Sequence, residues 1–235
     1  MKIIIVGATS GIGRALAESY LRDGHLVAIT GRREGLLEEL RGAWPDRCFT
    51  AVQDVRDAHL PYERLVASLG GLDLFIYNAG YGAVSKDLDP VIETDTTTTN
   101  VLGFVRGAAF AFDYFARNGG GRIALTSSVA AMRGSGFAPA YSASKAFMSN
   151  YAEGLSLKAR KLGLPIVVTD IRPGFVATKM AQSDRLFWVV PVPKAVAQIR
   201  ASIAAGTRVA YVSRRWRLVA GLLRHLPYGL YRRVG

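Results

Sequence analysis

Lys2-Ile-Ile-Ile-Val6 runs straight into Gly7-Ala8-Thr9-Ser10-Gly11-Ile12-Gly13, and the reading of this stretch decides the fold. Four β-branched residues in a row suit a strand buried on both faces, the situation found in parallel sheets. From Arg14 to Asp23 the apolar spacing turns helical, and Gly24 stops it. Strand, glycine loop and helix in this order make a phosphate cradle. The glycines permit a tight turn and close backbone approach, while the helix start presents free N–H groups and the positive end of its dipole. A nucleotide is therefore expected over Gly7 to Gly13.

The same alternation continues. His25 to Thr30 reads as a second strand, Glu34 to Ala43 as a helix, Cys48 to Val52 as a strand, Ala58 to Leu69 as a helix and Leu72 to Ile76 as a fourth strand. Further on come a long helix from Thr96 to Asn118, strands at Arg122 to Thr126 and Pro165 to Asp170, a helix from Lys194 to Ala205 and a strand at Val209 to Val212. Such regular alternation predicts an α/β fold, a Rossmann-type doubly wound parallel sheet of about seven strands with helices on both faces. Ligands of these sheets sit beyond the carboxyl ends of the strands, which brings Gly7 to Gly13, Arg32, Asp54 and Asn78-Ala79-Gly80 to one edge. At the end of the second strand an acidic residue would accept the ribose hydroxyls of NAD. Here Gly31-Arg32-Arg33 stands instead, which suits the extra phosphate of NADP.

The 235 residues are enough for one large domain, and half of them are apolar. Residues 1 to 212 read as that domain and 213 to 235 as an extension. Cys48 is the lone cysteine, a small core residue of a reducing compartment, with the cytoplasm as the default. No apolar run reaches the roughly 18 residues of a membrane span, and no signal peptide is expected. The net charge of +12 is unevenly placed, because all 18 acidic residues lie at or before Asp184 while residues 185 to 235 carry ten Lys and Arg. The body is nearly neutral and the tail is basic.

Ala140 to Leu162 reads as a helix opened by Tyr141-Ser-Ala-Ser-Lys145. Positions four apart share a helix face, so phenol and ammonium sit one turn apart. A fixed cation beside a tyrosine favours the phenolate and is expected to pull its pKa down from about 10 toward the working range, giving a general acid/base. The Thr96–Asn118 helix carries Gly103, Gly107 and Ala111 every fourth position. Its Val101, Phe104, Phe110, Phe112 and Phe115 cover more than one face, so one side is expected on the sheet and the other on a second subunit. Arg133 to Pro139 reads as a flexible segment.

Taken together, Gly7-x-x-x-Gly11-Ile-Gly13, Asp54-Val55, Asn78-Ala79-Gly80, Asn100, Ser128, Tyr141-x-x-x-Lys145 and Pro173-Gly174 resemble the compact, single-domain branch of the short-chain dehydrogenase/reductase family over roughly residues 1 to 212. The resemblance implies an oxidoreductase exchanging hydride between NADP(H), with NAD(H) as the second option, and a carbonyl or secondary alcohol. It implies Tyr141 as acid/base, Lys145 lowering its pKa and binding the nicotinamide ribose, Ser128 on the substrate oxygen and Asn100 in a proton relay. Ser128 is preferred to Ser127 because the family's serine precedes its tyrosine by thirteen residues. Asp54 and Val55 would contact adenine, Asn78 to Gly80 would line the cofactor, and Pro173, Gly174, Val176 and Thr178 would border its carboxamide end. A homo-dimer or homo-tetramer is the expected assembly. Two departures, Val6 for a common Thr and Tyr77 for a common Asn, fall on scaffold positions.

Met180, Leu186, Phe187, Trp188, Val189 and Val190, with Met132 and Phe137, suggest a hydrophobic substrate or, equally, plain packing. In the tail, Trp216, Val219, Leu223, Leu226 and Leu230 recur at helical spacing opposite Arg214, Arg217, Arg224 and His225, with Pro227 breaking the run. A helix docked on its own domain or a sister subunit is preferred; a peripheral contact with an anionic membrane is the alternative. Nucleic acid is not expected, as no aromatic platform or recognition helix accompanies the arginines. Against the enzyme stands a catalytically idle dinucleotide-binding regulator or membrane-surface adaptor, which the intact Asn100, Ser128, Tyr141 and Lys145 set disfavours.

Overall fold

The computed structural model describes residues 1–178 and 187–232. Met180 and Leu186, named above among the apolar residues, and Arg185 and Arg233 of the basic tail lie outside the described residues. The chain runs β1 (Lys2–Val6), α1 (Gly11–Arg22), β2 (Leu26–Gly31), α2 (Glu34–Ala43), β3 (Cys48–Val52), α3 (Tyr62–Leu69) and β4 (Leu74–Tyr77). Then α4 (Pro90–Thr97) passes through a π-helical turn at Thr98–Leu102 into α5 (Gly103–Arg117), followed by β5 (Gly121–Thr126) and a 3-10 turn at Val129–Met132. After these come α6 (Pro139–Lys161), β6 (Ile166–Pro173), α7 (Val192–Ala204), β7 (Val209–Val212), α8 (Trp216–His225) and α9 (Tyr228–Tyr231).

The seven strands pair in parallel throughout, in the order β3-β2-β1-β4-β5-β6-β7. The unbroken apolar run of β1 is explained by its two covered faces. Ile4 and Val6 join Tyr62, Phe104, Phe115 and Met148 beneath α3, α5 and α6, whereas Ile3 and Ile5 join Leu16, Leu37 and Ile199 beneath α1, α2 and α7. Cys48 is buried in the second of these cores, and burial pushes its thiol up to about 12. It is chemically inert there. No helix among the described residues is long and apolar enough to cross a membrane.

The helix expected from Ala58 begins only at Tyr62, behind Pro61, and two further differences bear on the site. The helix expected from Thr96 begins at Pro90, where the Asp89 side chain accepts from the Val91 N–H at 2.8 Å. Second, the small residues of α5 serve its own sheet: a Cβ on Gly103 would lie 2.7 Å from the Tyr77 hydroxyl and one on Gly107 would lie 3.2 Å from Phe75. The aromatic surplus of that helix is absorbed at home as well, since Phe110 packs 5.2 Å from Tyr62 and 6.3 Å from Tyr114.

Candidate functional site

Strand order reverses between β1 and β4, so their carboxyl ends open a crevice. The glycine loop fills one wall of it at very close range. Gly7 has φ +83°, and a Cβ there would lie 2.5 Å from the Ala79 Cα; one on Gly13 would lie 2.2 Å from the Gly7 carbonyl oxygen. Asn78 ties the two walls, donating to Gly7 O at 3.1 Å and accepting from Thr126 Oγ1 at 3.1 Å. Ser10 precedes α1 without a side-chain cap, leaving the first N–H groups of the helix available. Thr178 reaches this loop too, its methyl 3.4 Å from where a Cβ on Gly11 would stand.

At the end of β2 the two arginines part company. Arg33 donates to Thr9 Oγ1 at 2.6 Å and Ser10 Oγ at 2.8 Å, which locks its guanidinium onto the glycine loop. Arg32 is largely exposed and lies 3.9 Å from the Asp54 carboxylate. Gly31 leaves room for Thr9, whose methyl would be 2.6 Å from a Cβ there. Asp54 is held chiefly by Arg56, at 2.7 Å, and this partner keeps its carboxyl below the usual range. Val55 is buried under the start of α5.

The other groups gather at the ends of β4, β5 and β6. Tyr141 stands in the first turn of α6, whose Ala140 N–H donates to Glu93 Oε2 at 3.0 Å, so a carboxylate from α4 fixes the positive end of that helix. The ring of Tyr141 lies on Gly82, where a Cβ would be 2.3 Å from its edge. One turn on, Lys145 is buried, donates to Thr126 O at 2.9 Å and sits 5.6 Å from the Tyr141 ring centroid. Ser128 accepts from Ala130 N–H at 3.1 Å and directs its own proton only weakly, to Pro173 O at 3.5 Å. Ser127 turns the other way, onto the buried Asp170, which is paired with Arg172 at 2.6 Å.

Asn100 is fully buried in the π turn. Its Oδ1 accepts from Tyr81 N–H at 2.8 Å, and its Nδ2 donates to Tyr81 O at 2.7 Å and to Ser144 Oγ at 3.0 Å. A π turn inserts a residue and frees a carbonyl. The hydroxyl of Tyr77 satisfies one, donating to Thr99 O at 2.8 Å, so the tyrosine that replaces a common Asn holds the turn that carries Asn100. Gly80 sits between the two groups, a Cβ there falling 3.3 Å from Lys145 Nζ and 3.5 Å from Asn100 Oδ1.

The expected depression of the Tyr141 pKa is not what the environment produces. Burial raises the phenol, opposed by the Ser128 hydroxyl. Burial acts on Lys145 as well, lowering it to about 8 against the pull of Asp170. Sequence spacing shows that the pair is adjacent; it does not show that Lys145 is buried while Tyr141 stays partly exposed.

Two aromatic residues that the sequence did not assign to the site, Phe175 and Trp216, border it. Trp216, the first residue of α8, lies flat on Gly174: a Cβ there would be 2.0 Å from Trp216 Cε2. Phe175 and Phe187 pack on the same indole at 5.3 and 4.9 Å. Gly174→Ala is therefore expected to destabilise the protein by about 1–3 kcal/mol through overpacking, and Trp216→Ala to relieve part of that when the two are combined. Urea unfolding of the two single variants and the double variant checks this, additivity being the contrary result. The segment Arg133 to Pro139 is not loose, because the tail ties it down. Arg133 donates to Leu226 O at 2.6 Å and stacks 4.8 Å over the Tyr231 ring, while Tyr231 donates to Gly134 O.

This fold and this crevice define a Rossmann-like α/β protein. The profile of the short chain dehydrogenase family matches residues 1–187, and the chain belongs to that family of oxidoreductases, which bind NAD(P) and act on small molecules. It is 34% identical over 190 residues, 76% of this chain and 74% of the relative, to an uncharacterized oxidoreductase of Mycobacterium tuberculosis. To the NADP-dependent 3-hydroxy acid dehydrogenase YdfG of Escherichia coli it is 30% identical, over 75% of this chain and 73% of that one. A short-chain dehydrogenase from Streptomyces avermitilis superposes with a TM-score of 0.83 at 24% identity, covering 99% of this chain and 97% of that chain.

Proposed function

We propose that this chain is an NADP(H)-preferring enzyme that interconverts a hydrophobic carbonyl compound and its secondary alcohol, with Tyr141 moving the proton. The single observation that carries the reading is the convergence of Ser128, Tyr141, Lys145 and Asn100 beside the glycine loop. When bound, the nicotinamide supplies or accepts the hydride. The residues fit such a group: the cradle at Gly7, Gly11 and Gly13 admits no side chain without a clash or strain, and two arginines replace the acid at the end of β2. Thr9, Ser10 and Ile12 would complete the phosphate site, Arg32 and Arg33 would hold the extra phosphate, and Asp54 and Val55 would border the adenine. Asn78, Ala79 and Gly80 would line the middle, and Tyr141, Lys145, Pro173, Gly174, Val176 and Thr178 the nicotinamide end.

In the reducing direction the raised phenol of Tyr141 starts protonated and gives its proton to the carbonyl oxygen, while Ser128 Oγ–H aligns that oxygen. In the reverse direction the Lys145 ammonium stabilises the phenolate. Asn100 keeps Tyr81 and Ser144 in place behind Lys145, and its remaining Oδ1 lone pair can join a proton relay. Phe137, exposed beside Tyr141's helix, and the Phe175, Phe187 and Trp216 group offer an apolar substrate side. Residues 1 to 212 are read as the catalytic domain, in the cytoplasm. Assembly into a homo-dimer or homo-tetramer would use the outer face of α6 and the π turn ahead of α5, where Phe147, Leu157 and Leu102 are exposed.

Fluorescence titration with NADPH and NADH tests the cofactor reading. Arg32→Ala is expected to weaken NADPH about tenfold or more and to leave NADH unchanged, a charge-assisted phosphate contact being lost. Arg33→Ala is expected to weaken both nucleotides, because it also releases Thr9 and Ser10. Failure of the wild type to bind either nucleotide overturns the enzyme reading.

A further inference from the structure

One face of α8 is spoken for. Trp216 and Ala220 are buried against Val129 and Met132 at the end of β5, with Val219 and Leu223 packed beside them, so the stripe seen in the sequence docks on the chain's own body. Leu230 leaves that stripe and is exposed, because the chain turns at Pro227. The opposite face is not polar, as a docked surface helix would have it. Leu218 is 73% and Leu222 65% exposed, one turn apart, and Tyr228, 75% exposed, follows them. At the other end of the helix Phe187, 49% exposed, lies against Trp216. Arg214, Arg215, Arg217, Arg224 and Arg232 are exposed around these side chains, and none of them is ion-paired among the described residues.

Outward leucines flanked by unpaired arginines call for a partner that is apolar within and anionic at its surface. A second copy of this chain does not meet that need: a two-fold contact through α8 sets the same patch against itself, arginine facing arginine, and no acidic residue follows Asp184 to compensate. A nucleic acid meets the charge but gains nothing from exposed aliphatic side chains. We infer that the outer face of α8, continued by Tyr228, is a docking surface for an anionic lipid bilayer, with Leu218 and Leu222 entering the acyl boundary and the arginines contacting headgroups. The inference is independent of the hydride chemistry, since Leu218, Leu222, Tyr228 and the arginines of the tail are not among the residues placed in the crevice.

Vesicle co-sedimentation of the full chain tests it, with neutral phosphatidylcholine against phosphatidylcholine containing phosphatidylglycerol. Binding is expected on the anionic vesicles only and should weaken in high salt. Arg217→Gln with Arg224→Gln should reduce it on the order of 25-fold, about fivefold per arginine near the surface. Leu218→Ser with Leu222→Ser should reduce it comparably while leaving NADPH affinity and the unfolding midpoint at wild-type values, which excludes misfolding as the cause. Equal recovery from neutral and anionic vesicles overturns the proposal. So does binding that is lost with the arginines but kept with the serines, particularly if a fluorescent DNA or RNA duplex binds with the same pattern. A dimer by light scattering that dissociates in the serine variant and leaves no vesicle binding would assign the face to a second copy instead.

Discussion

Tyr141→Phe is expected to lose turnover by about a thousandfold or more while NADPH affinity stays within a few-fold of wild type. General acid/base contributions of 10² to 10⁴ are usual, and here no other group is placed to substitute. Ser128 offers only an aliphatic hydroxyl, a far weaker acid than a phenol, and Lys145 is turned to the Thr126 carbonyl. The ring itself is retained by phenylalanine, so its contact with Gly82 and the entrance to α6 should persist. Steady-state assay with a panel of carbonyl compounds, together with NADPH titration, measures both halves. Wild-type turnover in the variant would mean that the proton comes from elsewhere; loss of cofactor affinity in step with turnover would make Tyr141 a packing residue.

Lys145→Met should act in two directions at once, removing turnover and raising the melting temperature. The ammonium is buried and its pKa falls to about 8 from 10.5. The sign follows from linkage: between about 8 and 10.5 the unfolded lysine holds a proton that the folded one has released, so stability rises with pH across that window. Below it the penalty is complete, on the order of 3 kcal/mol at neutral pH. Methionine removes the penalty but strands the Thr126 carbonyl, at a cost of about 1 kcal/mol. A net gain of about 2 kcal/mol corresponds to roughly 5 °C in a protein of this size. The gain should shrink as the pH of the melt is raised toward 10. A lower melting temperature at neutral pH would show that the pull of Asp170 and the Thr126 hydrogen bond outweigh desolvation.

Both expectations concern groups that can be read from the sequence, whereas their environments cannot. Local chemistry is legible: α2 and β3 fall on the expected residues because their ends coincide with changes of periodicity, and the two-faced burial of β1 follows from its β-branched run. The start of α4 is obscured by Thr94 and the run Thr96 to Thr99, poor helix formers, although Asp89-Pro90 signals it. The π turn leaves no compositional trace, so Asn100, which the family resemblance marks as a site residue, reads as lying in regular helix until Tyr77 is seen to hold Thr99. Arg32 and Arg33 look equivalent in sequence and differ in space, because only Arg33 meets Thr9 and Ser10. The tail shows its inner stripe at helical spacing, but Leu218 and Leu222 are lost among the arginines.

The strap from the tail to the Arg133–Pro139 segment joins residues 93 and 97 positions apart. Translation proceeds at about 5–20 residues per second, so several seconds separate the synthesis of the two ends of that strap. The contacts that tie Arg133 and Gly134 therefore form only after Leu226 and Tyr231 have left the ribosome, so that segment is held last of all.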